Sequence, residues 1–260
     1  CDSPGCRWAT EFKDVSWMKE TEGFAQRVIK AVAGLEAHGE RPHRAGDYSF
    51  NNIGISSLLM LSSTMPDELR AKKGYYTVGG CGGNIAWHTE NDTIEIADKD
   101  ILLRDMKVYL EIVAGIADAP ILPFDWRAQA AEFAETVDAY AKAAGSRFDL
   151  GPAAAATASL AKALASFHAR VQDGAIPQAT ANHAIMRLAR ILVPVNYTRA
   201  PRFRHDPALP VPALPTLSTA LELAGLDETA LGFARTQLVR GQNRYVAALR
   251  EAEAVIAAAS

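Results

Sequence analysis

Cysteine is the first thing this sequence has little of. Three residues in 260, at Cys1, Cys6 and Cys81, are too few for a disulfide scaffold, and their spacing matches no structural zinc pattern. A dominant charge is also missing. With 27 basic and 30 acidic side chains the net charge is −3, which gives no electrostatic reason to expect a nucleic-acid partner. Nor is there an apolar run long enough for a membrane span, because the most apolar stretches are broken by Asp105, Lys107 and Glu111. The chain opens on Cys1 rather than Met, with no charged leader, apolar signal core or small-residue cleavage site, so we expect the protein's own start to lie further upstream. What is present is a globular composition, 49% hydrophobic and 22% charged, in a chain long enough for one large domain or two ordinary ones.

The stretch Gly79 to Thr93, GGCGGNIAWHTENDT, is the most unusual. Four glycines there ask for uncommon backbone angles or for close approach to another part of the chain. His88 follows, with Thr89, Glu90 and Asp92 beside it, and Asp98 then reads as the N-cap of a long helix starting near Lys99. A histidine delivered by a glycine-shaped loop just ahead of a helix suits a metal or catalytic ligand; it equally suits a surface or capping role. Cys6 and Cys81 both flank this region, and that common place is all that suggests a bridge between them.

Taken in order, CDSPGCRWAT opens with an Asp-Ser-Pro-Gly turn, in which Asp2 is either a turn former or a side chain presented from a strand end. Phe24, Val28, Val32 and Leu35 predict an amphipathic helix over 20–38, stopped by Gly39. A polar loop over 41–52 then leads to a short apolar strand over 53–61, and together these predict an α/β unit. Pro66 to Lys73 reads as a short helix. Lys99 to Ala117 predicts a long one, whose face of Leu102, Met106, Tyr109, Leu110, Val113 and Ile116 is wide enough to pack on a sheet.

Pro120 and Pro123 mark a boundary, giving domains over 1–120 and 121–260. Beyond it β-branched runs become scarce and alanine rises. Helical stripes follow at Phe133, Val137 and Tyr140; at Leu160, Leu164, Phe167 and Val171; at Ile185, Leu188, Ile191 and Leu192; and at Leu231, Leu238, Tyr245, Leu249 and Ile256. They predict an all-α helical bundle, with a proline-rich crossover over 201–215 that carries Arg199, Arg202, Arg204 and His205 at its start. His38, His43, His168, His183 and His205 have no partners at ligand spacing and read as structural or surface residues.

The DSPG turn, the loop GDYSFNNIGIS, the segment WHTENDT and the junction LPFDWR occur in an order that resembles the C-terminal part of a co-catalytic zinc exopeptidase of metallopeptidase family twenty-eight. In particular it resembles the branch holding glutamate carboxypeptidase and the transferrin receptor, in which a helical dimerisation domain follows the peptidase domain. The resemblance implies the C-terminal part of an α/β sheet domain, then the bundle. It also implies a homodimer formed through the helical domain, peptide substrates, two zinc ions and an extracellular or periplasmic setting.

By similarity Asp2 and His88 match the family's fourth and fifth zinc ligands, one for each metal. Carboxylate oxygen and neutral imidazole suit zinc while leaving room for a water that two metals activate and a glutamate deprotonates. The first histidine, the bridging aspartate, the glutamate ligand and the general-base glutamate have no match here and are expected upstream, so no catalytic residue is assigned and the chain alone is expected to be inactive. Asp47 and Tyr48 fall in the family's substrate-facing loop, and Trp87 stands where the carboxypeptidase has a tyrosine. Leu58 to Leu61 replace that enzyme's arginines, and Pro207 to Pro215 lack its Lys-Tyr pair, which favours an aminopeptidase or dipeptidase over an acidic carboxypeptidase. The alternative is a non-catalytic, transferrin-receptor-like binding or dimerisation protein.

Overall fold

A computed structural model describes residues 3–42, 49–58, 62–201, 203–204 and 211–259. In chain order its main elements are β1 (Phe12–Ser16), α1 (Lys19–Ala33), β2 (Ala37–Glu40), α2 (Ser49–Asn52), α3 (Asp67–Lys72), α4 (Lys99–Ala117), α5 (Trp126–Ala144), α6 (Gly151–Gln172), α7 (Gln178–Tyr197) and α8 (Glu228–Ala258), with short 3-10 turns between some of them. Helix accounts for 63% of the chain, and the one sheet among the described residues has two parallel strands, so the structure is mainly helical. No helix among the described residues is long and apolar enough to cross a membrane. The chain divides into two compact units, Cys1–His43 with Ser57–Phe124, and Arg44–Ser56 with Asp125–Ser260.

In the first unit β1 and β2 pair in parallel, with Phe12 opposite Ala37 and Ser16 opposite Glu40, and α1 makes the connection. Phe12, Val15, Phe24, Val28 and Ile29 from this β-α-β unit form a core with Val108 and Ile112 of α4. The helix ends earlier than its apolar spacing predicts. Gly34 takes a left-handed conformation at φ 70° and its N–H caps Lys30, so residues 37–40 are released to pair with β1. The strand expected over 53–61 is likewise displaced: Ile53 and Gly54 lie in a turn after α2, and antiparallel pairing with the β1 segment occurs at Leu58, opposite Trp17, and at Thr64, opposite Glu11. Those two bridges share one antiparallel register.

Helix α4 begins where the Asp98 signal places it, since that carboxylate accepts hydrogen bonds from the N–H groups of Asp100 and Ile101 at 3.0 Å. Its buried face matches the expected one in part, with Tyr109 and Ile116 half-buried against the core. Asp105, Val108 and Ile112 point inward, while Met106, Leu110 and Val113 are 56%, 69% and 63% exposed. The rotation follows from Asp105, which is drawn in by polar partners described below.

In the second unit the sequence pattern and the structure agree closely. Phe133, Val137 and Tyr140 on α5, Leu160, Leu164 and Phe167 on α6, Ile185, Leu188 and Leu192 on α7, and Leu231, Leu238, Tyr245 and Leu249 on α8 are all buried. The helices pack as α5 on α6, α6 on α8 and α8 on α7. Asp125, in the LPFDWR junction, caps α5 and holds Arg127 in a forked ion pair, while Trp126 beside it has no exposed surface. Polar contacts lock the interior: Tyr245 and Thr157 share a 2.7 Å hydrogen bond, and the Tyr140 hydroxyl donates to the Ala213 carbonyl at 2.6 Å. Burial pushes the Tyr245 phenol well above its ordinary range.

Candidate functional site

His88 sits on a chain of turns. Trp87 N–H bonds to Asn84 O, Thr89 N–H to Ala86 O and Asp92 N–H to Thr89 O, all near 3.1 Å. Two side chains tighten these turns, because Asn84 Oδ1 accepts from Ala86 N–H and the Thr89 hydroxyl donates to Ala86 O. The result puts His88 at φ 61°, exposed, with its ring stacked on Trp87 at a centroid separation of 3.8 Å. Trp87 packs in turn against a small buried cluster of Cys6, Ala9 and Cys81, joined by Ile96 and Ile101. The imidazole is therefore carried by an aromatic pillar standing on the segment that follows Ser3.

That segment is held to the His88 region by backbone hydrogen bonds. Arg7 N–H donates to Ile96 O at 2.7 Å and Asp98 N–H to Gly5 O at 2.9 Å, with Cys6 bridged to Ala97. Beneath lies Asp105, which has no exposed surface. It accepts from Gly5 N–H at 3.0 Å and from the Ser63 hydroxyl at 2.7 Å, and it pairs with Arg104 at 2.9 Å. Arg104 reaches on to the Ala9 carbonyl. Gly5 can be nothing larger: its φ is 76° and a Cβ would lie 2.5 Å from that of Leu102. Asp105 and Gly5 thus fix the turn next to Asp2, a role sequence reading missed because Asp105 looked like a solvated break in an apolar stretch.

Asp2, Asp47 and Tyr48 lie outside the described residues. Of the proposed site residues His88 and Trp87 are placed, and they touch each other. Among the described residues no three His, Cys, Asp or Glu side chains come together that could hold a metal ion. One exposed imidazole is not a closed zinc donor set, so the described residues do not fit a zinc ion by themselves. Glu90 and Asp92 are exposed on the same turns.

A cavity of about 410 Å³ opens in the same unit, lined by Ser3, Lys13, Asp14, Ser62 and the glycines at 79, 80, 82 and 83 among others. Lys13 and Arg70 both pair with Asp67 on its wall. The Ser62 hydroxyl is buried without a hydrogen-bond partner among the described residues. Hydroxyls and charges of both signs suit a small polar ligand better than an apolar one. The basic cluster of the crossover is partly placed: Arg199 donates to Pro215 O and the Ser218 hydroxyl and so serves the chain's own packing, while Arg204 is exposed and its backbone carbonyl accepts from Asn52. Arg202 and His205 lie outside the described residues.

No known family's sequence profile matches the chain, and no curated protein matches its sequence. The resemblance to the zinc exopeptidases therefore stands on the motifs quoted above.

Proposed function

We propose that this chain carries part of a co-catalytic zinc exopeptidase of aminopeptidase or dipeptidase type, in which Asp2 and His88 each supply one ligand to a different zinc ion. One observation carries the reading. The turn that follows Asp2 and the segment around His88 are more than eighty residues apart in sequence, yet backbone hydrogen bonds, Arg7 N–H to Ile96 O and Asp98 N–H to Gly5 O, together with the Cys6–Cys81 contact, hold them together. A shared site needs that convergence. The zinc ions would supply an activated water and a polarised scissile carbonyl. This chain's part is to present His88 from a rigid turn, with Trp87 fixing its ring plane; its sequence over 58–61 and 207–215 lacks the cations with which the carboxypeptidase selects acidic peptides. The family's remaining ligands and its general base have no counterpart in these 260 residues, so the chain alone is assigned no turnover.

Zinc titration of the purified chain by calorimetry, with a neutral dipeptide hydrolysis assay alongside, tests this. Weak zinc binding that falls further in His88→Ala and in Asp2→Ala, with no hydrolysis, is the expected result. Equal zinc affinity in the wild type and both variants removes the ligand assignment. Dipeptide turnover that survives His88→Ala overturns the mechanism.

A further inference from the structure

We propose that Cys6 and Cys81 are a disulfide-forming pair that covalently joins the turn after Asp2 to the glycine loop ahead of His88. Both cysteine side chains are buried, and their Sγ atoms lie 2.8 Å apart. That is closer than two unbonded sulfur atoms rest comfortably, and within about 0.8 Å of a disulfide bond length. The surrounding backbone fixes both sides of the contact. Cys6 is bridged to Ala97, while Gly82 O accepts from Met65 N–H at 2.8 Å and Asn84 N–H closes a turn on Cys81 O. Between them there is no slack, since a Cβ on Gly82 would lie 3.1 Å from the Cys6 Cβ and 2.7 Å from that of Ala9.

The backbone at Cys81 points the same way. Its φ is 51°, left-handed like its neighbours Gly82 and Gly83 at 58° and 80°. Glycine is at ease in that conformation and a side chain is not. In a GGCGG loop, position 81 alone keeps one, and its sulfur meets Cys6. Around the two sulfur atoms Ala9, Trp87, Ile96 and Ile101 form an apolar cluster.

The bond forms by exchange with a small-molecule disulfide such as oxidised glutathione. One cysteine thiolate attacks the small disulfide and releases one thiol. The second cysteine then displaces the other half from the mixed disulfide. Two electrons pass to the small disulfide, and the two cysteine protons end on the two thiols released. The hydrogen bond to Cys81 and burial both push the Cys6 thiol up from its ordinary range, and Asp92 and Asp105 add to this. Exchange therefore belongs to folding, while the segments are still open; once closed, the bond is a structural staple and not a reversible switch. It closes a loop spanning 75 positions, which restricts the unfolded chain strongly. The inference stands on this geometry and does not depend on the peptidase reading.

The chain, reduced and then refolded in a glutathione redox buffer, is alkylated with N-ethylmaleimide in denaturant, digested and analysed by mass, before and after reduction. The expected result is one alkylated cysteine, Cys1, before reduction and all three after it, with the Cys6 and Cys81 peptides joined in the unreduced digest. The midpoint of thermal unfolding should then drop when reductant is added to the wild type. In the double variant Cys6→Ser, Cys81→Ser reductant should leave it unchanged. Three alkylated cysteines after oxidative refolding to native helix content overturn the proposal, as does a bond that pairs Cys1 with either partner. The wild-type mass analysis decides the matter even if the variant does not fold.

Discussion

Asp105 gathers a backbone N–H, a hydroxyl and a guanidinium around a carboxylate with no exposed surface. Removing the carboxylate leaves Arg104 without its partner in a half-buried place and frees the Gly5 turn. Asp105→Ala should cost about 3–5 kcal/mol, read by urea unfolding, as expected for loss of one member of a buried pair. A loss under about 1 kcal/mol would mean that the neighbouring backbone holds the turn without it. His168 gives a second expectation at this scale. Burial holds its imidazole below the ordinary value of 6.5, and although Asp125, 3.8 Å away, opposes this, Arg127 reinforces it. The folded histidine therefore binds its proton less readily than the unfolded one. Its contribution is fully present above pH about 6.5 and is lost as pH falls through the lower folded value, because there the unfolded state binds more protons. Thermal unfolding followed from about pH 8 to about pH 5 should show this fall, and His168→Gln should flatten it. An unchanged slope in the variant would assign the pH dependence to other groups.

Among the elements, α4 separates what apolar spacing can tell from what it cannot. The spacing gave the helix limits, and the Asp98 cap gave its start, because both are local properties. It placed the buried face in part: Tyr109 and Ile116 pack against the core beside Val108 and Ile112, whereas Met106, Leu110 and Val113 are exposed. Only the tertiary partners of Asp105 choose between the two sets. Ile112→Ala should accordingly cost about 2–4 kcal/mol, whereas Leu110→Ala should stay within about 0.5 kcal/mol, both by chemical denaturation. Comparable losses at the two positions would mean that the face is not rotated in this way. The same distinction explains α1 and β2. Leu35 and Ala37 continue a helical pattern past Gly34, and AHGE carries no alternation of its own, so β2 exists only because β1 lies beside it. Of the candidate site, the His88 loop and the need for glycine around it were legible in the local sequence. The Cys6–Cys81 contact was suggested by the place of the two residues, whereas the roles of Asp105 and Gly5 were not legible, because they depend on segments roughly 40 to 100 residues apart.

For the whole molecule the two units present different problems. The helical unit buries its stripes where the sequence places them, and α8 alone contributes Leu231, Leu238, Tyr245 and Leu249 to that interior. The same helix leaves Phe233 71% exposed and Val239 47% exposed. An aromatic side chain held on a rigid helix is the kind of anchor that contributes most at a protein interface, because it gains contact area at small entropic cost. If the chain forms the homodimer that the resemblance implies, Phe233 is the first residue to test. Sedimentation velocity of the full chain at micromolar concentration should then give a dimer. Phe233→Ser should shift it towards monomer while leaving circular dichroism unchanged, since this side chain adds little to the interior of its own unit. A wild-type monomer across that range removes dimerisation as a property of the chain. A dimer that Phe233→Ser leaves intact moves the interface to another face.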